Sequence, residues 1–186
     1  MSPPSIEFPV EGLSDGVVTL RLLAQGDLPD VIEAVRDPLI PRYTTIPDPY
    51  GEREARQWQR SSAHGLTAGT DLATVIVEAG DDTLLGAVGL HGIGAESGRC
   101  SAGYWLAVDA RGHGVATRAL GLLCGYAFAE LGVARIELWI EPENAASLAV
   151  AERAGFEREG LLRSFMAIRD VRRDMLMYSL LPNGRR

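Results

Sequence analysis

The chain has 186 residues, of which 46% are apolar, and its 25 carboxylates outnumber 18 positive charges, which gives a net charge of −7. An acidic chain of this kind is poorly suited to binding nucleic acid through phosphates, and no stretch approaches the roughly 20 consecutive apolar residues of a membrane span. The first five residues have neither the basic nor the apolar segment of a secretory signal, so we expect a cytoplasmic protein of one domain.

Hydrophobic patterns and turn residues predict an α/β fold in the order strand, two helices, three strands, helix, strand, helix and two strands. Strands are predicted at residues 17–23, 71–78, 83–92, a segment that ends at 108, 134–140, 156–168 and 171–181. The first helix is predicted to begin at a cap at residue 27 and to end at the prolines at 38 and 41. Further helices are predicted at 52–64, 115–131 and 144–154. This order indicates a single sheet with helices on both faces.

Two proline-rich segments stand outside these elements. Residues 1–12 hold three of the ten prolines and predict a flexible tail before a single domain at 13–182. The loop at 41–50 places Tyr43 and Tyr50 among further prolines. Exposed aromatic residues beside prolines are typical of a binding rim, although a packed connector would explain them equally well.

The centre of the chain predicts an anion site. Residues 104–108 are aromatic and β-branched, as in a strand, and Gly112 and Gly114 then allow backbone conformations closed to other residues. The apolar segment 115–131 has no proline and predicts a buried helix. Unpaired N–H groups converge at the start of such a helix, which suits a phosphate group.

The residues around this turn narrow the choice of ligand. A nucleotide P-loop needs a lysine, and the chain contains no lysine. A dinucleotide-binding turn needs a third small residue where this chain has Thr117. The remaining pattern, Arg111-x-x-Gly114-x-Ala116, resembles the coenzyme A pyrophosphate loop of the GNAT N-acetyltransferase superfamily. A tight strand-to-helix turn without a ligand is the structural alternative.

A second motif supports this resemblance. Asn144-x-x-Ser147, followed by Gly155-Phe156-x-x-Glu159-Gly160, resembles the signature of the branch that acetylates the N-termini of ribosomal proteins. The loop at 47–50 and the ending at 172–180 are also similar to that branch. The resemblance extends over residues 17–181.

The resemblance implies a GNAT-like, mixed and mostly antiparallel sheet of about seven strands, splayed between strands 4 and 5. It implies that acetyl-CoA donates its acetyl group by direct attack of a primary amine, either a protein N-terminal α-amine or a small-molecule amine. The expected protein is a monomer or homodimer with no nucleic-acid or membrane partner. A non-catalytic acyl-CoA-binding module and a nucleotide-dependent enzyme are the alternatives.

The resemblance also implies roles for single residues. The expected cofactor-binding residues are Leu106, Ala107, Val108, Arg111, Gly112, His113, Gly114, Val115, Ala116, Thr117, Asn144 and Ser147. The Val108 N–H is expected to bind the thioester oxygen as it becomes an oxyanion. Ser147 is expected to assist the departing thiol by giving or relaying a proton. Asn144 also suits a helix N-cap.

The acceptor side is less well defined by the sequence. Tyr43, Tyr50 and His91 are expected to line the acceptor pocket. The proton acceptor could be His91 or Glu141, because each stands near a strand end, but either could be an ordinary polar residue. No Cys/His cluster has metal-ligand spacing, so no metal is expected, and both cysteines are predicted to be buried apolar residues.

Overall fold

One sheet of eight strands forms the frame of the molecule in the computed structural model, which describes residues 5–94 and 97–182. Residues 1–4 of the predicted tail and residues 95–96 of the turn before the fourth predicted strand lie outside the described residues. The strands are β1 (Leu13–Ser14), β2 (Val18–Leu22), β3 (Asp71–Glu78), β4 (Leu84–His91), β5 (Arg99–Leu106), β6 (Arg135–Ile140), β7 (Glu157–Ile168) and β8 (Val171–Leu180). The helices are α1 (Leu28–Val35), α2 (Leu39–Tyr43), α3 (Glu52–Ala68), α4 (Val115–Glu130) and α5 (Ala145–Arg153).

The strand order is β1-β2-β3-β4-β5-β6-β8-β7, and all pairs are antiparallel except β5 with β6. The predicted mixed, mostly antiparallel α/β sheet is therefore confirmed. All seven predicted strands are present, and the eighth is the two-residue β1, which is too short to give a sequence pattern.

The helices cover both faces of the sheet. Neighbouring residues of a strand point to opposite faces, and on β5 Tyr104 packs with the cluster around α4 and α5 whereas Trp105 packs with the cluster around α1 and α3. The α4 helix contributes most to the first cluster, and its buried residues include Leu120, Leu123 and Ala127. The prediction that this helix is buried is confirmed.

Two local predictions between β2 and α3 differ from the structure. The predicted loop at 41–50 begins within α2, because Pro41 lies in the first turn of that helix, where proline is tolerated. Asp27 does not cap α1 through its side chain. Its buried carboxylate instead accepts hydrogen bonds from Arg21 at 2.7 and 2.8 Å and from the Ala24 N–H at 2.7 Å.

The segment predicted as a flexible tail is packed at its described positions 6–8. Ile6 is buried, and its N–H donates to the Leu66 carbonyl at 3.0 Å. The Phe8 ring lies edge-on to Tyr126 with centroids 5.4 Å apart, and the Tyr126 hydroxyl donates to the Glu7 carbonyl at 2.8 Å. Alternating apolar residues let this segment cover the ends of α3 and α4 despite its prolines.

A one-residue shift in the β3–β4 pairing sets which residues of this hairpin face each other. Val77 pairs with Leu84, but Ile76 pairs with Gly86, so Leu85 is the extra residue of a β-bulge. A Cβ atom on Gly86 would lie 2.2 Å from the Trp105 carbonyl oxygen, so only glycine fits there.

The parallel pairing of β5 with β6 stops early. Arg99, Cys100 and Ser101 pair with Arg135, Ile136 and Glu137, respectively. Within the described sheet, neither Ala102–Leu106 nor the rest of β6 has a partner on the facing strand, although β4 and β8 pair with their outer sides. This interruption lies between the two strands where the resemblance implied a splay, and the splay itself stays a prediction.

Within residues 5–94 and 97–182, no helix has both the length and the hydropathy that crossing a membrane would require.

Leu120 tests the importance of α4 for stability. Its side chain is fully buried, so we expect Leu120→Ala to lower the free energy of unfolding by about 2–5 kcal/mol. Leu161→Ala removes the same atoms from a side chain that is 47% exposed and should cost less than about 1 kcal/mol. Urea unfolding followed by circular dichroism measures both, and equal losses would contradict the placement of α4 in the core.

Candidate active site

A cavity of about 880 Å³ lies over the sheet, on the face covered by α1 and α3. Its floor is low because small residues stand side by side: Ala73 of β3 pairs with Gly89 of β4, which pairs with Gly103 of β5. Residues paired in this way share one face of the sheet. The cavity extends to β6 and the start of α5, across the interruption between β5 and β6.

The walls of the cavity are rich in aromatic residues. They include all three tryptophans of the chain, one each from α3, β5 and β6: Trp58, Trp105 and Trp139. Tyr43 and Tyr50 add two further rings. Burial, with a contribution from the nearby Glu54, raises the pKa of Tyr50 to about 12, so its phenol is neutral at physiological pH.

Glu141 is a buried carboxylate at the end of β6, with 7% of its surface exposed. Arg42 donates from one guanidinium nitrogen to both of its oxygens, at 2.9 and 3.0 Å, and Arg173 approaches to 3.9 Å. The two arginines compensate the buried charge, as a buried carboxylate requires. Glu141 therefore acts as an ion-pair partner that joins α2 to β6, which makes it a weaker candidate for the proton acceptor.

His91 stands at the end of β4, where it lines the cavity and more than half of its side chain is exposed. Its Nδ1 lies 3.1 Å from Oδ1 of Asp71 on β3. Its Nε2 lies over β5, 3.9 Å from the position that a Cβ atom would take on Gly103.

The turn that precedes α4 has the conformation expected from its glycines. Gly112 and Gly114 adopt φ angles of 79° and 78°, and a Cβ atom on either would meet no atom within 4 Å. The backbone conformation, not crowding, therefore requires glycine. The Arg118 N–H donates to the Gly114 carbonyl at 3.1 Å, so the N–H groups of residues 115–117 precede the first helical hydrogen bond.

Arg111 has a different environment from the one expected. Its guanidinium donates to the Leu106 carbonyl at 2.9 and 3.3 Å and forms an ion pair with Asp37 after α1. These contacts fix the end of β5 to the α1 side of the fold. The positive charge of Arg111 therefore lies at the end of β5.

The prediction that Val108 continues the strand is wrong. The Ala107 N–H donates to the Leu85 carbonyl at 2.9 Å, and the chain then enters a 3₁₀ turn at Val108–Ala110. The Val108 side chain is 59% exposed. The stretch of β5 that faces the interruption is instead Ala102–Leu106.

Asn144 is the N-cap of α5, as the sequence indicated: its Oδ1 accepts from the Ser147 N–H at 3.2 Å. The Ser147 hydroxyl takes no part in this bond. The Tyr104 hydroxyl lies 3.5 Å from the Ser147 carbonyl, and burial raises the pKa of Tyr104. Two hydroxyl groups therefore stand near the first turn of α5.

The structure brings six of the predicted site residues to one cavity: Tyr43, Tyr50, His91, Glu141, Asn144 and Ser147. Residues 111–117 do not line that cavity and lie at the start of α4. Asp71 and Tyr104 were not predicted as site residues, although the predicted hairpin could have placed Asp71 near His91. The three tryptophans were not predicted there either, because their shared location depends on tertiary packing. The described residues contain no group of three or more His, Cys, Asp or Glu arranged to hold a metal ion.

Comparison with known proteins agrees with this geometry. The family model "Acetyltransferase (GNAT) domain" matches residues 18–157. The chain is 31% identical over 165 residues to the uncharacterized N-acetyltransferase p20 of Bacillus licheniformis, covering 88% of this chain and 92% of the relative. It is 33% identical over 136 residues to the putative ribosomal N-acetyltransferase YdaF of Bacillus subtilis, covering 72% and 70%.

A solved structure shares the whole fold. The microcin C7 self immunity acetyltransferase MccE, in complex with acetyl-CoA and AMP, superposes with a TM-score of 0.83 at 20% identity. The match covers 94% of this chain and 98% of that chain.

Proposed function

The chain belongs to the GNAT acetyltransferase family, and we propose that it transfers acetyl from acetyl-CoA to a primary amine by direct attack within the aromatic cavity. It is an acetyl-CoA-dependent N-acetyltransferase. The proposed attack by an amine rests on the extent of the cavity. The cavity joins the interruption between β5 and β6, beside which Asn144 and Ser147 lie, to a chamber lined by Tyr43, Tyr50 and His91.

The start of α4 suits the pyrophosphate of the donor. Residues 112–117 would offer backbone N–H groups to it, strengthened by the positive end of the helix dipole. Gly114 and Ala116 carry no long side chains that would obstruct phosphate oxygens. The pantetheine arm would lie in the interruption and pair with free backbone of Ala102–Leu106, as an added strand does.

The reaction needs an amine with a free lone pair, a polarised carbonyl and a leaving thiolate. As the new C–N bond forms, backbone N–H groups of residues 102–106 would stabilise the charge that develops on oxygen. The Val108 N–H, just beyond the end of β5, stays a predicted donor to the same oxygen. When the C–S bond breaks, the Ser147 hydroxyl would donate or relay a proton to sulfur, a role that suits its place beside the cavity.

The cavity suits an amine joined to an apolar or aromatic body. Tryptophan and tyrosine faces attract cations, and Glu54, Glu141 and Asp71 stand in or beside the same walls. An N-terminal α-amine has a pKa near 7.7–8.0, well below about 10.4 for lysine, so it is easily deprotonated. The relative named as a putative ribosomal N-acetyltransferase also supports a protein N-terminus as acceptor. Small-molecule amines share the same chemistry.

Gly114→Val tests where the pyrophosphate binds. Valine at φ of 78° is strained by about 1–2 kcal/mol, and its side chain would stand at the helix start, so we expect acetyl-CoA affinity to fall more than tenfold. Gly132→Val is the matched control: Gly132 follows the other end of α4, has φ of 63°, and also has open surroundings.

Isothermal titration with acetyl-CoA measures both variants, and their melting temperatures report the shared strain. Equal affinities of the two variants would show that the pyrophosphate does not bind at residues 112–117.

Ser147→Ala tests the role of its hydroxyl. The backbone N–H, not the hydroxyl, completes the α5 cap, so this substitution should preserve the helix and lower kcat by roughly ten- to a thousandfold. Asn144→Ala, which removes the cap acceptor, should instead cost about 1 kcal/mol of stability. Steady-state kinetics with saturating acetyl-CoA measures kcat, and a change within about twofold would leave Ser147 with a structural role alone.

Tyr43→Ala and Tyr50→Ala test the acceptor side. Each removes one ring from the cavity wall, so we expect a higher KM for the acceptor and an unchanged KM for acetyl-CoA. Leu39→Ala is the control, because Leu39 lies on α2 with Tyr43 but is 52% exposed and outside the cavity lining.

Initial rates are read by release of free thiol, with Ala- and Ser-initiated hexapeptides and spermidine as acceptors. A rise in the KM for acetyl-CoA alone would place the donor, not the acceptor, beside these tyrosines.

A further inference from the structure

We infer that His91 removes a proton from the acceptor amine and that Asp71 is the positioning residue that orients its imidazole for this step. The inference rests on the proposed function, because it assigns the proton transfer that the attack on the thioester requires. An ammonium group has no lone pair, so one proton must leave before the C–N bond can form.

The sheet register places the two side chains together. Asp71 of β3 pairs with His91 of β4, which pairs with Ser101 of β5, so all three project from one face in a row. The next row is the floor of small residues, Ala73, Gly89 and Gly103. His91 therefore stands at the edge of the open part of the cavity.

The contact with Asp71 determines which imidazole nitrogen is available. An ionised carboxylate only accepts hydrogen bonds, so at 3.1 Å from Asp71 the Nδ1 of His91 carries the proton. In the neutral ring Nε2 then holds the lone pair. This nitrogen lies over Gly103, where the absence of a side chain leaves room for a substrate amine.

The other acidic groups near the cavity are already occupied. Glu141 is paired with Arg42, and Glu54 accepts from the Gly51 N–H at 3.1 Å and from Arg53. Glu137, next to Ser101 in the same row, accepts from Arg135 at 2.8 Å and from Trp139 at 3.2 Å. Among the described residues, Nε2 of His91 has no hydrogen-bond partner.

The polar and charged groups around His91 come from several elements. β3 contributes Asp71. β5 contributes the uncharged Ser101 and, two residues before it, Arg99, which lies 3.7 Å from Glu137. β6 contributes Glu137, one position further along the row, in an ion pair with Arg135. From α3, the cavity is lined by Arg53, Glu54, Gln57, Trp58 and Ser61. Asp71 is the one charged group among these in direct contact with the imidazole.

The proton balance is complete with these groups. One proton of the ammonium passes to Nε2 and later to solvent, while Asp71 stabilises the positive imidazolium. The amine lone pair then forms the C–N bond. The second proton of the amine passes through the Ser147 hydroxyl to sulfur as the C–S bond breaks, which yields the amide and the free thiol.

The test compares His91→Gln with His64→Gln, since His64 is an exposed histidine of α3 outside the cavity. The acceptor is whichever of an Ala-initiated hexapeptide, a Ser-initiated hexapeptide and spermidine the wild-type protein acetylates fastest. At pH 7 we expect kcat/KM of His91→Gln to fall about 10²- to 10⁴-fold, with acetyl-CoA affinity and melting temperature unchanged. The loss should shrink as the pH rises and the amine deprotonates in solution, and imidazole should restore rate to His91→Ala.

Asp71→Asn tests the positioning role against Asp30→Asn, a substitution of an exposed aspartate on α1. Asparagine keeps the size of the side chain but removes the counter-charge of the imidazolium. We therefore expect about a tenfold lower kcat/KM at pH 7 and an acid limb of the pH–rate profile displaced to lower pH. A purely structural role would lower stability without moving that limb.

The outcomes are distinct. No transfer by the wild-type protein to any of the three amines overturns the proposed function and this inference with it. If the wild-type protein transfers acetyl and His91→Gln has the same kcat, only the assignment of His91 is overturned. A change in the acceptor KM alone leads to the same conclusion. A normal pH–rate profile for Asp71→Asn overturns the role of Asp71.

Discussion

The parallel pairing between β5 and β6 ends after three residue pairs, and the candidate site depends on that interruption. A sheet normally hydrogen-bonds the backbone of each interior strand on both sides, so an interior gap exposes polar groups that need partners. Here β4 and β8 hold the outer sides of the two strands, so that the gap stays open without loss of the sheet. The Arg111 side chain closes one end of β5 by binding the Leu106 carbonyl. The remaining free backbone is available to an extended ligand.

The same sheet face combines a row of small residues with large aromatic walls. Ala73, Gly89 and Gly103 lower the floor, and tryptophans from three elements surround the volume that results. Arginines neutralise the buried acids at the rim, most directly where Arg42 binds Glu141. That pair also joins α2 to the end of β6. Among the described groups that line the cavity, Nε2 of His91 is left without a hydrogen-bond partner.

Much of this organisation could be predicted from the sequence because it depends on local patterns. The strands follow from the alternation of apolar and polar residues, and α4 follows from one long apolar segment. The turn before α4 follows from Gly112 and Gly114, which adopt positive φ angles. The features that were missed depend on distant contacts. Val108 leaves the strand after Ala107, whose N–H donates to the Leu85 carbonyl. The packing of Ile6 depends on Leu66, 60 positions later in the chain. The environment of Arg111 likewise depends on Asp37, 74 positions earlier in the chain.

The β-bulge at Leu85 makes some insertions in this hairpin far more disruptive than others. The turn between β3 and β4 lies beyond the bulge, so a residue gained or lost there changes only the hairpin tip. A residue gained or lost between Gly86 and His91 would shift the pairing by one and turn the imidazole to the α4 side of the sheet. Natural variation in length should therefore accumulate at residues 79–83 and be absent from 86–91. The bulge thus divides one hairpin into a tip that can vary in length and an arm whose length cannot change.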